Sequence, residues 1–464
     1  MLDLNISRLG AKNMNNIKKE DEFILDIKRL GINGEGIGYY NRLAIFVPNA
    51  IPGEGHNIKI TEVKPNMAFA KSLEIKTKSE YRKEPKCVYY DKCGGCNTMH
   101  IDYNKMLDFK RDILVEALNK YSGLNTKSFE IKKTIGLNEF NYRNRSQLPL
   151  RVEDDKLKVA MIKENSNIFI PIDECIIQNK LLNELNNSIC KLIEKNKISI
   201  YSYKEKKGII RYITIRVNKN NEALVDLVCY QYEDLKNLAE EIMKLKGVKG
   251  VYQSLNTVFT QGASIVGGDL IHLAGDKYII ETLGNIKYML YPDTFFQLNT
   301  LVAEEMMKTV LKSLKLSFKE RVLDAYSGVG AIGLYIAHNA KEVIGIENNK
   351  SSVLAANENA KLNNIKNAKF LQGNAEELLP KMIKDGETFD AVVVDPPRTG
   401  LNDKFIKALL DSNVKRIIYV SCNPSTLAKN LSVLKEKYNV NSITPFDMFP
   451  NTALVESVCC LSLK

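Results

Sequence analysis

No stretch of about eighteen apolar residues occurs in this sequence, which excludes an ordinary membrane-spanning helix. The opening MLDLNISRLGAKNM lacks the basic start and apolar run of a secretory signal, so a cytoplasmic location with no membrane partner is expected. Cysteine is sparse: nine residues, an odd number, which in a reducing compartment argues against a disulfide framework. Tryptophan is absent, a mark of coding bias rather than of fold. Internal repeats and low-complexity tracts are also missing, so the chain does not read as a solenoid.

What is present is a globular composition, 44% hydrophobic and 26% charged over 464 residues. That length suits two to four domains. The net charge of +11 is uneven. Residues 1–150 carry 25 Lys/Arg against 18 Asp/Glu, whereas residues 291–464 carry 21 against 19. A basic front suggests contact with a polyanion, although a coding bias toward lysine explains it equally well.

Four segments follow from composition and periodicity. Residues 1–20 are polar and read as a flexible leader. Residues 21–79 alternate in short strands (EFILDIKRL, RLAIFVPNA, HNIKITEVK, MAFAKSLEI) separated by the turn signals GINGEGIGYY and IPGEG, as in a small barrel of the oligonucleotide-binding type. Residues 80–290 are mixed α and β, with a helix over YNKMLDFKRDILVEALNKY and strands over RNRSQLPLRV, RYITIRVN and EALVDLVCY. From 291 to 464, helices alternate with apolar strands, which predicts a parallel sheet covered on both faces.

Within that last segment, VLDAYSGVGAIGLYIA places a strand, an acid and a glycine turn before a helix. Gly328, Gly330 and Gly333 satisfy the dinucleotide pattern, which alone is weak. Asp324 ends the first strand, where Rossmann-type methyltransferases keep an acid near the methionine part of S-adenosylmethionine. Glu347 ends the second strand, where a carboxylate can accept both ribose hydroxyls; nicotinamide enzymes share that acid. In VVVDPPRTGL, proline stiffens the strand exit and holds Asp395 at the edge where open α/β sheets bind ligands. The next strand ends in IIYVSCNPSTL, with Cys422 just before a helix whose N-terminus favours thiolate. A buried structural thiol is the competing reading.

The densest cysteines lie elsewhere, in CVYYDKCGGC. Cys87, Cys93 and Cys96 need a fourth ligand, and Cys175 in PIDECII is the candidate. Four thiolates suit zinc or an iron–sulfur cluster, and spacing leaves both open.

The motifs D-P-P-R-x-G-L, V-S-C-N-P-x-T-L and D-M-F-P-x-T-x-x-V-E, with FFQLN and CGGC upstream, resemble the RNA (uracil-5-)-methyltransferase family. The N-terminal barrel resembles its TRAM RNA-binding module. The resemblance implies a Rossmann-like S-adenosylmethionine-dependent methyltransferase domain, an OB-like TRAM barrel and a central iron–sulfur α+β domain. It implies that Cys422 is the nucleophile toward uracil C6 and Glu456 the general base that removes the C5 proton. Taken alone, Glu456 reads as an ordinary surface carboxylate. Gln297, Tyr326, Glu347 and Asp395 would line the S-adenosylmethionine pocket, beside Asp324 and Gly328. Cys87, Cys93, Cys96 and Cys175 would hold a [4Fe–4S] cluster. RNA contact is expected from the barrel, where Tyr39, Tyr40 and Phe46 are stacking or core residues, and from Arg143 and Arg145, which otherwise read as surface arginines. The barrel and cluster resemble the 23S rRNA branch more than the compact tRNA branch; a monomer is expected. The sequence departs from the family pattern at Asn451 and Leu454, where histidines are common. A nicotinamide-dependent oxidoreductase would also use the glycine turn and a cluster, but leaves Cys422 and D-P-P-R unexplained. A non-catalytic RNA-binding protein leaves Cys422 and Glu456 without a role.

Overall fold

The computed structural model describes residues 17–164, 166–257, 265–266 and 268–464. The first sixteen positions of the expected leader lie outside them. Residues 17–20 are described, and Ile17 is buried in the barrel core. The chain divides into two compact units: residues 1–85, 97–109 and 451–453, and residues 86–96, 110–450 and 454–464. No helix among the described residues is long and apolar enough to cross a membrane.

In the first unit, β1 (Glu22–Leu30), β2 (Gly36–Tyr40), β3 (Leu43–Val47), β4 (Gly55–Lys64) and β5 (Met67–Thr77) close into a barrel of order β1-β2-β3-β5-β4. Alternation turns Leu25, Ile27, Ile45, Val47, Ile58 and Ile60 inward, the period-two burial expected of closed strands. The glycine-dense stretch, read as a turn, contains β2. Its glycines are there for close packing: a Cβ at Gly36 would meet the Ala50 carbonyl oxygen at 2.6 Å, and one at Gly38 the Asp26 carbonyl oxygen at 2.6 Å. Tyr39 and Tyr40 are exposed rather than core, and Phe46 stacks on Phe69 at 5.5 Å between ring centroids.

In the second unit, the helices α1 (Tyr90–Cys93) and, from Lys110 onward, α2 (Tyr103–Tyr121) precede β6 (Glu130–Ile131). Then come β7 (Arg145–Glu153), β8 (Lys156–Ile162), β9 (Phe169–Ile172), α3 (Lys180–Lys195), β10 (Ile210–Val217), β11 (Ala223–Cys229), α4 (Lys236–Met243), β12 (Val248–Leu255) and β13 (Leu270–Gly275). The last six strands with β7 form a seven-stranded sheet of order β13-β12-β11-β10-β7-β8-β9, whose apolar face packs on α3 and α4. Arg145 is no surface arginine: its guanidinium is largely buried and donates to the Pro292 carbonyl at 2.7 Å.

The hairpin β14 (Ile279–Leu283) and β15 (Ile286–Leu290) leads into α5 (Thr300–Leu314), β16 (Arg321–Ala325), α6 (Ala331–Ala337), β17 (Glu342–Glu347), α7 (Lys350–Leu362) and β18 (Ala368–Gln372). After them come α8 (Ala375–Lys384), β19 (Ala391–Val394), α9 (Asp403–Asp411), β20 (Arg416–Ser421), α10 (Pro424–Leu434), β21 (Tyr438–Phe446) and β22 (Glu456–Leu463). They build an eight-stranded sheet of order β18-β17-β16-β19-β20-β22-β21-β6. β19 is AVVV and wholly buried, the continuous apolar run of a strand covered on both faces. Two features differ from the sequence reading. The strand β6, from residues 130–131, completes the far edge by pairing with β21. Helix α8 contains Pro380, which reads as a breaker, yet the Asn374 cap and two acids in its first turn support it, as expected of a helix start.

Because β16 comes first and the chain then winds outward in both directions, the order reverses between β16 and β19. That switch point opens a crevice at the strands' carboxyl ends.

Candidate active site

The crevice is walled by the residues that follow β16, β17 and β19. Asp324 in β16 is fully buried, and its Oδ2 accepts from the Gly333 N–H at 2.8 Å, tying strand to helix. Gly333 permits this approach, since a Cβ there would lie 2.8 Å from that oxygen. Glu347, at the end of β17, accepts from the Gly328 N–H at 3.0 Å and the Asn349 N–H at 2.7 Å. Gly328 has φ +54 and faces open space, with nothing within 4 Å of an added Cβ. Tyr326 also has a positive φ, 65, a strained setting for an aromatic residue. Its hydroxyl donates to Glu376 on α8 at 2.9 Å. Gln297 stands in the turn before α5, where its carbonyl accepts from Asn144 at 2.9 Å; its side chain takes no part in the bonds that knit Asp324, Gly328 and Glu347.

Burial raises Asp324 to about 8, with the Asp395 and Glu347 carboxylates adding to the rise against the Gly333 N–H. Burial alone lifts Asp395 to about 7. Such a concentration of carboxylates favours a cation. The sulfonium and ammonium of S-adenosylmethionine match that charge, and the open face of Gly328 leaves room for close approach.

The second half of the site stands at the same edge. In the antiparallel ladder of β20 and β22 the last pair is Ser421 with Ser457. Cys422 follows Ser421 directly and has Glu456, the first residue of β22, as an electrostatic neighbour; Glu456 pairs with Phe446 of β21. Cys422 precedes Asn423, the cap of α10, whose side chain accepts from the Ser425 N–H at 3.0 Å with Pro424 opening the helix. The D-P-P-R loop is tied to this turn: Asn423 and Thr426 donate to the Arg398 carbonyl at 3.1 and 3.3 Å. Asn430 of α10 accepts from the Leu401 N–H at 2.9 Å and the Tyr419 hydroxyl at 2.8 Å.

The helix N-terminus does not make Cys422 a thiolate. Burial pushes the thiol up to about 11, the Glu456 and Asp395 carboxylates add to the rise, and Arg398 opposes it. Glu456 is 6% exposed, not a surface carboxylate. Burial raises it to about 8, reinforced by Asp395 and opposed by Arg398 and Lys110. Lys110 itself is fully buried on α2, 2.5 Å from Asp447 Oδ1.

Residues 102–464 match the tRNA (Uracil-5-)-methyltransferase family, and residues 21–73 match the TRAM domain. The chain belongs to the tRNA (uracil-5-)-methyltransferase family. An uncharacterized RNA methyltransferase of Bacillus anthracis is 39% identical over 448 residues, covering 95% of this chain and 97% of the relative. One from Enterococcus faecalis is 38% identical over 455 residues, covering 97% and 99%. The crystal structure of Pyrococcus abyssi tRNA (uracil-54, C5)-methyltransferase in complex with S-adenosyl-L-homocysteine superimposes with TM-score 0.74 at 29% identity, covering 94% of this chain and 99% of that one.

For a uracil-5-methyltransferase family member, three residues escaped the sequence reading. Glu376 lies on α8, in a segment that carries no motif. Arg398 stood unremarked inside the quoted D-P-P-R. Lys110 could have been found, since it interrupts the apolar stripe Met106, Phe109, Ile113, Leu114 of α2.

The cysteine segment is folded around α1. Gly94 ends that helix at φ +72, and a Cβ there would strike Glu164 at 2.5 Å. Cys175 is held to α3 by Asn183, with reciprocal bonds of 3.0 and 3.1 Å. The Tyr89 hydroxyl bonds to both the carboxylate and the N–H of Asp173. The Cys96 thiol is raised first by burial and then by Cys175, Cys93 and Cys87, so the four thiols are near neighbours. They are not drawn together as ligands of one ion: no group of three or more His, Cys, Asp or Glu among the described residues is so arranged.

Proposed function

We propose that this chain methylates C5 of uracil in RNA, with 23S rRNA as its substrate. The observation that carries the reading is that Cys422 has both Glu456 and Asp395 as neighbours at the carboxyl edge of the sheet. Uracil C5 is a poor nucleophile. When Cys422 gives its thiol proton to the neighbouring Asp395 carboxylate and its sulfur bonds to C6, the C5=C6 electrons move into an enolate and C5 becomes nucleophilic. Asp324, Tyr326, Gly328, Glu347 and Asp395, with Gln297, would hold S-adenosylmethionine. Bound there, it supplies the electrophilic methyl group that C5 receives. Glu456 then takes the C5 proton; the freed pair restores C5=C6 and expels the Cys422 sulfur. Both carboxyls beside Cys422 are raised by burial, which suits groups that must accept protons near neutrality. The target base must leave its stack to reach the cysteine.

The preference for 23S rRNA rests on the barrel and the cysteine segment. A tRNA substrate is the second reading, favoured by the similarity to the archaeal enzyme that acts on tRNA uracil-54. Methyl transfer from labelled S-adenosylmethionine to unmodified 23S RNA and to tRNA separates the two; labelling of tRNA alone overturns the first.

Cys87, Cys93, Cys96 and Cys175 would hold a [4Fe–4S] cluster, a donor set that suits iron–sulfur ligation. Such a cluster would supply a cross-link between the 87–96 segment and the loop before α3. Iron and sulfide assays on anaerobically purified protein test it, and zinc in their place would overturn it.

A further inference from the structure

The path into Glu456 is held by a residue far away in sequence. Between Phe446, the last residue of β21, and Glu456, the first of β22, the chain leaves the β21–β22 ladder; the Asp447 N–H donates to the Ile135 carbonyl at 2.8 Å, and the Asn451 carbonyl accepts from the Asn97 and Thr98 N–H groups at 3.0 and 3.2 Å. Lys110 Nζ donates to Asp447 Oδ1 at 2.5 Å, to the Phe449 carbonyl at 3.2 Å and to the Leu454 carbonyl at 2.7 Å. Its three protons are thereby matched by three acceptors, two from the connection's first half and one just two residues before Glu456. The Tyr142 hydroxyl donates to the Pro450 carbonyl at 3.0 Å in the same connection.

A fully buried ammonium is costly unless it is paired and hydrogen-bonded. One carboxylate would have sufficed for pairing. The use of two backbone carbonyls fixes the ends of the segment as well.

We propose that Lys110 is the positioning residue for Glu456, clamping the 447–454 connection and presenting its positive charge to the carboxyl group that removes the uracil C5 proton. This rests on Glu456 being that base. The charged and titratable groups facing Glu456 are Asp395 and Arg398 from the D-P-P-R loop, Cys422 from the end of β20, and Lys110 from α2. Those beside Lys110 are Asp447, Glu456 and, across Asp447, Tyr142. Of the two cations, Arg398 opposes the rise of Glu456 more strongly than Lys110 does, but it stands on an exposed loop open to water, whereas Lys110 is buried and acts with little screening. An ammonium near a carboxyl favours its ionised form, the form a base requires.

The test uses full-length enzyme and RNA carrying tritium at uracil C5, so that tritium release reports removal of the C5 proton. Lys110→Met is expected to release tritium about tenfold or more slowly. Its rate–pH profile should move upward by about one pH unit. Lys110→Gln, which keeps a donor for Asp447 without the charge, carries the same expectation if Lys110→Met does not fold. Lys110→Arg should keep the wild-type midpoint. A folded neutral variant that is slower but keeps the wild-type midpoint overturns the inference, since lost packing alone lowers the rate at every pH. Glu456→Gln runs alongside. If it releases tritium at the wild-type rate, the base assignment itself fails; if it is inactive while the Lys110 profile stays put, only the clamp fails.

Discussion

Cys422 is held as a thiol, at about 11, by burial and by the carboxylates of Glu456 and Asp395. A strand end followed by a helix cap was enough to single it out in the sequence, but the local sign of charge came from residues distant in the chain. In the proposed reaction its proton must leave as the uracil binds, and free enzyme should alkylate slowly at this position. Peptide mapping after iodoacetamide treatment at neutral pH should find Cys422 modified more slowly than an unhindered thiol, with the rate climbing at alkaline pH. Rapid neutral labelling would contradict this. Glu456 was marked only by family resemblance, because a lone acid in A-L-V-E-S-V carries no local signal; its burial depends on β20 and β21 flanking it. Its carboxyl, raised to about 8, is protonated below that pH and basic above it. Turnover should accordingly rise with pH through about 8, and Glu456→Gln should accumulate methylated, Cys422-linked RNA on denaturing gels.

At the scale of elements, asparagine does much of the organising. Asn179, Asn299, Asn349, Asn374, Asn402 and Asn423 each cap a helix through the side chain. Such a cap contributes about 1 kcal/mol. Gly400 shows a tighter constraint: its φ is +78, and a Cβ would meet Asn430 Oδ1 at 2.6 Å. Gly400→Ala should cost about 1–3 kcal/mol and loosen the D-P-P-R loop from α10, lowering activity and melting temperature together. In the barrel, Glu54 is buried and accepts from Arg82 at 2.6 and 2.7 Å, from His56 at 2.9 Å and from the Ile51 N–H at 2.9 Å. Read as part of the turn IPGEG, it gave no hint of this, since Arg82 lies beyond the last barrel strand. Burial opposes its ionisation, but the Arg82 and His56 bonds win and hold the carboxyl well below the usual range. A depressed carboxyl stabilises the fold above the ordinary carboxylate pKa and stops doing so as pH falls through the folded value. The barrel should therefore lose stability on acidification. Glu54→Ala should destabilise it by about 3–5 kcal/mol, measurable as lost hydrogen-exchange protection across β1–β5.

At the scale of the whole molecule, the alternation of apolar strands and helices made a sheet covered on both faces legible, whereas the crevice between β16 and β19 follows from the strand order, which alternation does not give. The edge strand β6 was not legible, because two residues provide no periodicity. Nor could spacing foretell that the four cysteines would be neighbours without forming a single-ion site. The net charge of +11 predicts RNA binding that weakens steeply with salt; affinity unchanged between about 50 and 200 mM salt would argue against a phosphate-dominated contact. The most direct measurement is nucleoside mass spectrometry of unmodified RNA incubated with S-adenosylmethionine and either wild-type enzyme or Cys422→Ala. The expected result is 5-methyluridine with wild type and none with the variant. 5-Methyluridine at wild-type levels from Cys422→Ala would contradict the covalent mechanism, and a methyl group on any other atom would contradict the assigned reaction.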